Sequence, residues 1–172
     1  MLKTIVAAMA AAGMALSAAP TMAAAHGGIK EFRIGILGGE NQSVRLRSNE
    51  CLRAKTEELL GVPTKLFAPA DYNGVIEGLL GGNLDMAWLG ASGYAKVYLT
   101  DPDAVEPVLV KINTDGSMGY HSIGFARADS GITSLDDMKG RQFVFGDPNS
   151  TSGFLIPSVE IPAAGYSMEP GE

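Results

Sequence analysis

Residues 32–37 read FRIGIL, a short apolar run that ends at the glycine pair Gly38-Gly39. A run of this length that is closed by glycine is typical of a buried β-strand. Residues 43–60 follow with apolar side chains at helical spacing, and Gly61 ends that segment as a C-cap glycine would. The pattern therefore predicts a β-strand followed by an α-helix.

The same alternation continues along the chain. Further strands are predicted at 62–67, 84–90, 105–112, 120–126 and 142–145, and further helices at 71–80, 92–99 and 134–138. Strands that alternate with helices at this spacing predict a mostly parallel sheet covered by helices, which is the α/β class. A last helix begins near 154–158 with no strand after it. The organisation expected is one nearly complete lobe and the opening of a second, and the alternative is a small single domain.

The first residues of the chain differ in composition from the rest. Lys3 precedes an apolar run of small residues, and a proline then leads into the small residues that a signal peptidase requires. We expect a signal peptide at residues 1–25, cleaved near Ala24 or Ala25, and hence an exported protein. A membrane anchor is disfavoured because the run is short, rich in alanine and interrupted by glycine and proline.

Charge and cysteine content exclude several classes of protein. The 172 residues carry 13 Lys and Arg against 19 Asp and Glu, a formal net charge of -6. Nonspecific nucleic-acid binding requires a basic face, so no nucleic-acid partner is expected. The single cysteine excludes an internal disulfide and a structural zinc site built on cysteines. No spacing of metal ligands is present, and we expect neither a metal nor a cofactor.

The most informative segment for function is residues 146–153, which read GDPNSTSG. It follows a predicted strand and opens a predicted helix, with three consecutive hydroxyl residues, Ser150, Thr151 and Ser152, at the opening. Helix N-termini carry unpaired N–H groups and a partial positive charge, which suit tetrahedral oxyanions. The alternative is an ordinary N-cap, since serine and threonine are favoured there. The segment is not a Walker A loop because no Gly-Lys-Ser/Thr follows.

A second candidate site lies at the carboxyl end of the predicted strand 84–90, at Trp88, Leu89, Gly90, Ala91 and Ser92. Ligands of open α/β sheets bind beyond the carboxyl ends of strands. The G-x-S-x-G elbow of the hydrolases is not matched, because position 94 is tyrosine. The alternative is a packing tryptophan followed by a helix cap.

Read in order, these segments resemble the periplasmic substrate-binding proteins of phosphonate, phosphite and phosphate ABC transporters. The resemblance covers residues 32 to about 158, with GDPNSTSGF at 146–154 its most specific part. The other matching strings are FRIGI at 32–36, DYNGVIEGL at 71–79, NLDMAWLG at 83–90 and GYHS at 119–122.

The family fold implied by this resemblance is like a periplasmic binding protein of type II, in which a hinge of crossing strands joins two α/β lobes and the ligand is clamped between the lobes. The domains expected are the signal peptide at 1–25, a first lobe at 26–118, and a hinge strand with a truncated second lobe at 119–172. Family members are roughly twice as long as one ordinary domain. The chain is therefore expected to be a shortened member.

The resemblance also implies a function and a set of ligand-binding residues. The protein would capture a phosphonate, phosphite or phosphate in the periplasm and deliver it to the membrane permease, without catalysis. Ser150, Thr151 and Ser152 would grip the phosphoryl oxygens and Tyr72 would donate from the first lobe. The stretch from Gly90 to Ser92 would line the same cleft, and His121 matches a position near the hinge.

Two other functions remain open from the residues alone. One is an exported α/β hydrolase that acts on phosphoesters through Ser152 or His121, although the sequence has no evident pair of nucleophile and base and no metal site. The other is a ligand-sensing module that signals to a partner. A phosphomonoester turnover assay separates binding from catalysis, and gene neighbourhood separates transport from sensing.

Overall fold

A parallel three-stranded sheet forms the centre of the molecule in a computed structural model that describes residues 28–39 and 41–169. Strand β1 (Phe32–Gly35) lies in the middle, between β2 (Thr64–Phe67) and β3 (Met86–Ala87). Both pairings are parallel, with Phe32 opposite Thr64 and Ile34 opposite Met86. The predicted α/β class is confirmed. The predicted signal peptide at 1–25 lies outside the described residues.

Helices follow each strand, as parallel strands require crossover connections. Helices α1 (Gln42–Ser48) and α2 (Glu50–Leu60) follow β1, and α3 (Tyr72–Leu80) follows β2. Helix α4 (Ala91–Thr100) follows β3. A π-helical turn at Thr151–Leu155 continues directly into α5 (Ile156–Ala163). In the part of the chain that the structure describes, no helix is both long and apolar enough to span a bilayer.

The two faces of the sheet carry separate apolar clusters because side chains alternate along a strand. Ile34, Ile36 and Ala68 pack with partly buried residues of α1 and α2 on one face. Val75, Leu79 and Leu84 pack with Leu37, Ala87, Leu89 and Val105 on the other. Gly35 lies under α3, where a Cβ would come within 2.6 Å of Leu84 Cδ1. The result is a three-layer α/β/α arrangement around β1.

A buried arginine joins the carboxyl ends of β1 and β2. Arg45 on α1 is 8% exposed and donates from Nη1 to the carbonyl oxygens of Ile36 and Leu37. Its Nη2 donates to the carbonyl oxygen of Pro69 at 3.0 Å. Arg45 therefore fixes the two loops that lead from the sheet toward α1 and α3.

The helix predicted as one segment over 43–60 is two helices. Asn49 lies between them with φ -104° and ψ 6°, and its side-chain Nδ2 donates to the carbonyl oxygen of Arg45 at 2.8 Å. A side chain that bonds a nearby carbonyl competes with the regular helical pattern. The prediction missed this break because the apolar spacing continues through it.

Several predicted strands are not strands in the structure. Residues 105–112, 120–126 and 142–145 are irregular and largely exposed, and the strand predicted over 84–90 is confined to Met86–Ala87. The helix predicted over 134–138 is a single 3-10 turn at Asp136–Met138. A cavity of about 550 Å³ is lined by β3 and by residues 104–109, which do not pair with that strand. Strand pairing requires a neighbour at about 4.7–4.9 Å, and these segments have the composition of strands without that neighbour.

Candidate functional site

Four segments of the chain meet beyond the carboxyl ends of β1 and β3. They are the start of α3, the start of α4, residues 119–122, and residues 146–153, which we call the hydroxyl turn. Ligands of open α/β sheets bind at this edge. The structure thus brings together the segments that the sequence singled out separately.

The start of α4 touches the hydroxyl turn directly. The backbone N–H of Ser92 donates to Oγ1 of Thr151 at 2.8 Å. A Cβ on Gly90 would lie 2.8 Å from Thr151 Oγ1 and 3.4 Å from the hydroxyl of Tyr120. Glycine is required at position 90 because the hydroxyl of Thr151 occupies the space that a side chain would need.

The hydroxyl turn is held in shape by its own hydrogen bonds. Ser150 is the N-cap of the π-helical turn, and its Oγ accepts from the N–H of Gly153 at 3.1 Å. The N–H of Gly146 donates to the carbonyl oxygen of Gly153 at 2.7 Å, and the N–H of Ser150 donates to that of Asp147 at 2.8 Å. These bonds hold the three hydroxyl residues together at the start of a helical segment that runs to Ala163.

Unused hydrogen-bond donors are concentrated at this turn. The backbone N–H groups of Thr151 and Ser152 make no hydrogen bond within residues 28–39 and 41–169. The hydroxyl oxygens of Ser150 and Thr151 each accept a backbone N–H, which leaves both hydroxyl protons available to donate. Such a set of neutral donors at a helical start suits a tetrahedral oxyanion.

Tyr72 lies at the first position of α3, next to the hydroxyl turn. Its ring Cδ2 is 3.8 Å from the position that a Cβ on Gly38 would take, so the ring lies beside the backbone that follows β1. Its N–H donates to Oδ2 of Asp147 at 3.0 Å. The side chain of Asp71 caps α3 by accepting from the N–H of Gly74 at 2.9 Å.

The remaining candidates differ in their surroundings. Ala91 is the exposed first residue of α4. His121 is exposed and makes no hydrogen bond in the described part of the chain. Its neighbours reach the site instead: Ser122 Oγ donates to the carbonyl oxygen of Ser152 at 2.6 Å, and the Tyr120 hydroxyl lies near Gly90.

Four residues of this cleft were missed by the sequence reasoning as members of the site. Asp147 and Asn149 stand inside the GDPNSTSG string, but only its hydroxyl residues were selected. Asn149 Nδ2 donates to Asn73 Oδ1 at 3.1 Å, and Lys96 Nζ donates to the same oxygen at 2.7 Å. The Asp-x-Asn spacing typical of a tight turn could have identified Asp147 and Asn149. Nothing local to Asn73 or Lys96 indicates these contacts.

Metal binding has no support in the described ranges 28–39 and 41–169, where no group of three or more histidine, cysteine, aspartate or glutamate side chains could hold an ion. The hydroxyl turn itself offers hydroxyl and backbone N–H groups as hydrogen-bond donors. That arrangement can hold an anion in place.

The sequence also matches a protein family over most of its length. Residues 34–171 match the family described as the periplasmic substrate-binding protein of phosphonate ABC transporters. A phosphate-import protein of Mycolicibacterium smegmatis is 32% identical over 143 residues, which cover 83% of this chain and 44% of that protein. The phosphonates-binding periplasmic protein of Escherichia coli is 32% identical over 136 residues, which cover 77% of this chain and 40% of that protein.

A solved structure shows the same fold. A binding protein component of a Pseudomonas aeruginosa ABC phosphonate transporter superposes with a TM-score of 0.68 at 27% sequence identity. The superposition covers 80% of this chain and 46% of that one. The chain thus spans less than half the length of the curated relatives that it matches.

Proposed function

The chain belongs to the family of periplasmic substrate-binding proteins of phosphonate ABC transporters, and we propose that it captures a phosphonate, phosphite or phosphate and delivers it to a membrane permease. The observation that carries the proposal is the donor set of the hydroxyl turn. Within the part of the chain that the structure describes, residues 150–152 offer two backbone N–H groups that make no hydrogen bond and two hydroxyl protons that are free to donate.

The ligand would bind with its oxygens on the hydroxyl turn. Ser150, Thr151 and Ser152 provide hydroxyl and backbone donors, and three oxygens of a phosphonate offer acceptors for several of them at once. Ser92 supports this geometry through its bond to Thr151. Tyr72 would donate its phenolic hydrogen from the side of α3.

The other predicted residues take lesser parts in the proposal. Gly90 and Ala91 line the cleft at the start of α4, where the missing side chain of Gly90 makes room for the hydroxyl of Thr151. His121 lies next to two residues that contact the site, and we give it no role in gripping the ligand.

No bond of the ligand is broken in the proposed function. The groups gathered at the turn stabilise an anion by donating hydrogen bonds, and binding closes the cleft around it. The proposed place of action is the periplasm, after removal of residues 1–25. Protein sequencing of the exported product should then begin at Ala25 or His26, and an N-terminus at Met1 in the exported product would contradict cleavage.

Calorimetric titration of the purified protein tests the binding function. Methylphosphonate, 2-aminoethylphosphonate, phosphite and phosphate are titrated separately, with sulfate as an oxyanion outside the proposed class. We expect saturable binding of at least one phosphorus oxyanion and weaker binding of sulfate. A folded protein that binds none of them at millimolar concentration would contradict the proposal, and turnover of p-nitrophenyl phosphate would favour the hydrolase instead.

A further inference from the structure

We infer that Asp147 and Asn149 form a clasp on the first turn of α3. The clasp holds the hydroxyl turn in place and fixes the position of Tyr72 relative to Ser150 and Thr151. It rests on the proposed function, because the groups that it positions are those of the proposed ligand site. The residues of the clasp act through others and are positioning residues.

The carboxylate of Asp147 uses its two oxygens in different directions. Oδ1 accepts from the N–H of Asn149 at 2.8 Å, which is a bond within the turn. Oδ2 accepts from the N–H of Tyr72 at 3.0 Å, which is a bond across 75 residues of sequence. Asp147 and this second bond are partly buried. One side chain thus shapes the turn and also attaches it to α3.

The attachment point is the N-terminus of α3, where the first N–H groups of a helix have no partner within the helix. Asp71 accepts from the N–H of Gly74, and Asp147 accepts from that of Tyr72. Two carboxylates of the protein therefore accept from two of the first N–H groups of this helix, where negative charge is favourable.

The second arm of the clasp is a shared amide oxygen. Asn73 Oδ1 accepts from Asn149 Nδ2 at 3.1 Å and from Lys96 Nζ at 2.7 Å. Because Lys96 stands on α4, this one atom connects α3, α4 and the hydroxyl turn. Loosening either arm would weaken the attachment of the turn to α3.

Asp147→Ser separates the two roles of the carboxylate. A serine hydroxyl can still accept from the N–H of residue 149, but it is too short to reach α3. We expect hydrogen exchange at the Tyr72 amide, followed by NMR, to become about 10-fold faster or more. The Kd for methylphosphonate should rise by about 10-fold. Asp115→Asn is the matched control, because it also removes one negative charge from a turn, and both readouts should stay unchanged.

The second arm is tested by a double-mutant cycle with Asn73→Ala and Asn149→Ala. We expect the two effects on the Kd for methylphosphonate to be coupled, so that the double variant binds more tightly than the product of the single effects predicts. A purely structural role would lower the unfolding midpoint and leave the Kd unchanged.

The failure of the clasp can be told from the failure of the proposed function. If the natural protein binds no phosphorus oxyanion, the proposed function fails, and the exchange rate at Tyr72 still decides the clasp. Equal exchange at Tyr72 in the natural protein and in Asp147→Ser would overturn the clasp. The role of the clasp in positioning the site would be overturned by two results together. These are an unchanged Kd in Asp147→Ser and effects of Asn73→Ala and Asn149→Ala on the Kd that are simply additive in free energy.

Discussion

The backbone N–H of Ser92 donates a 2.8 Å hydrogen bond to Oγ1 of Thr151, a residue 59 positions further along the chain. The bond places the start of α4 against the hydroxyl turn. It also orients the threonine hydroxyl, since an oxygen that accepts from Ser92 has its proton free to donate elsewhere.

Gly90→Ala should disrupt the contact between Ser92 and Thr151. The added Cβ would lie 2.8 Å from Thr151 Oγ1, closer than van der Waals contact allows, so the hydroxyl must move. We expect the Kd for the bound oxyanion to rise by about 10-fold or more, as loss of a well-placed hydrogen bond implies. The measurement is calorimetric titration.

Gly93→Ala is the matched control on the same helix. Its added Cβ would meet no heavy atom closer than 3.7 Å, which is ordinary contact. Alanine in place of glycine inside a helix stabilises by about 0.5–1 kcal/mol. Equal loss of affinity in both variants would show that the close approach at position 90 does not govern the site.

Thr151→Val removes the hydroxyl and keeps the shape of the side chain. The N–H of Ser92 then loses its acceptor, and the ligand loses a donor, so we expect affinity to fall by about 10-fold or more. Thr151→Ser keeps the hydroxyl and should retain most of the affinity. Titration of both variants with the same ligand makes the comparison, and a serine variant as weak as the valine variant would argue that the methyl group matters instead.

Tyr72→Phe removes the phenolic hydroxyl and leaves the backbone bond to Asp147 in place. We expect binding to weaken by about 0.5–1.5 kcal/mol, the usual net contribution of one hydrogen bond. Tyr166→Phe serves as control because that ring lies beside Lys139, after α5. Unchanged affinity in Tyr72→Phe would assign the ring to packing alone.

The stability of the sheet should depend on pH through Asp85. Arg33 donates to both of its carboxylate oxygens, from Nε at 2.9 Å and Nη2 at 2.8 Å, and these hydrogen bonds lower the pKa of Asp85. A carboxyl group whose pKa is lower in the folded state stabilises the protein at pH values above its pKa in the unfolded chain, about 3.9. This stabilisation is lost as the pH falls through the pKa of the folded state.

Asp85→Asn should therefore lower the free energy of unfolding near pH 7 by about 1–2 kcal/mol. The difference from the natural protein should shrink as the pH falls below about 4. Urea unfolding at both pH values measures it. Asp129→Asn, in an exposed pair with Arg127, should change little. If the loss of unfolding free energy in Asp85→Asn were the same at both pH values, the charge of Asp85 would not be its source.

The central sheet could be predicted from the sequence because each of its elements carries a local signal. The apolar run at residues 32–37 marks a strand, the glycine at position 61 marks the end of a helix, and the aspartate at position 71 marks a helix cap. The structure confirms all three. The strands predicted beyond residue 100 were wrong for a physical reason. Apolar alternation records a preference for extended backbone, whereas pairing depends on a neighbouring edge that no local pattern describes.

The site shows the same division between local and distant information. Ser150 as a cap follows from local chemistry, and the structure confirms it. The bond from Ser92 to Thr151 joins residues 59 positions apart. The bond from Tyr72 to Asp147 joins residues 75 positions apart. Such pairs depend on how α3 and α4 pack beside the hydroxyl turn. Ligand binding by the predicted residues stays a prediction.

Thermal unfolding of the purified protein, with and without ligand, tests the central claim most directly. Methylphosphonate, 2-aminoethylphosphonate, phosphite and phosphate are compared at millimolar concentration on the natural protein and on Thr151→Val. A ligand that binds the folded state raises the midpoint of thermal unfolding. At a ligand concentration of 100 times the Kd, binding adds about 2.7 kcal/mol to the free energy of unfolding. We predict a cooperative transition that at least one of these oxyanions raises in the natural protein and raises much less in Thr151→Val. A cooperative transition that none of them shifts would contradict an oxyanion site at the hydroxyl turn.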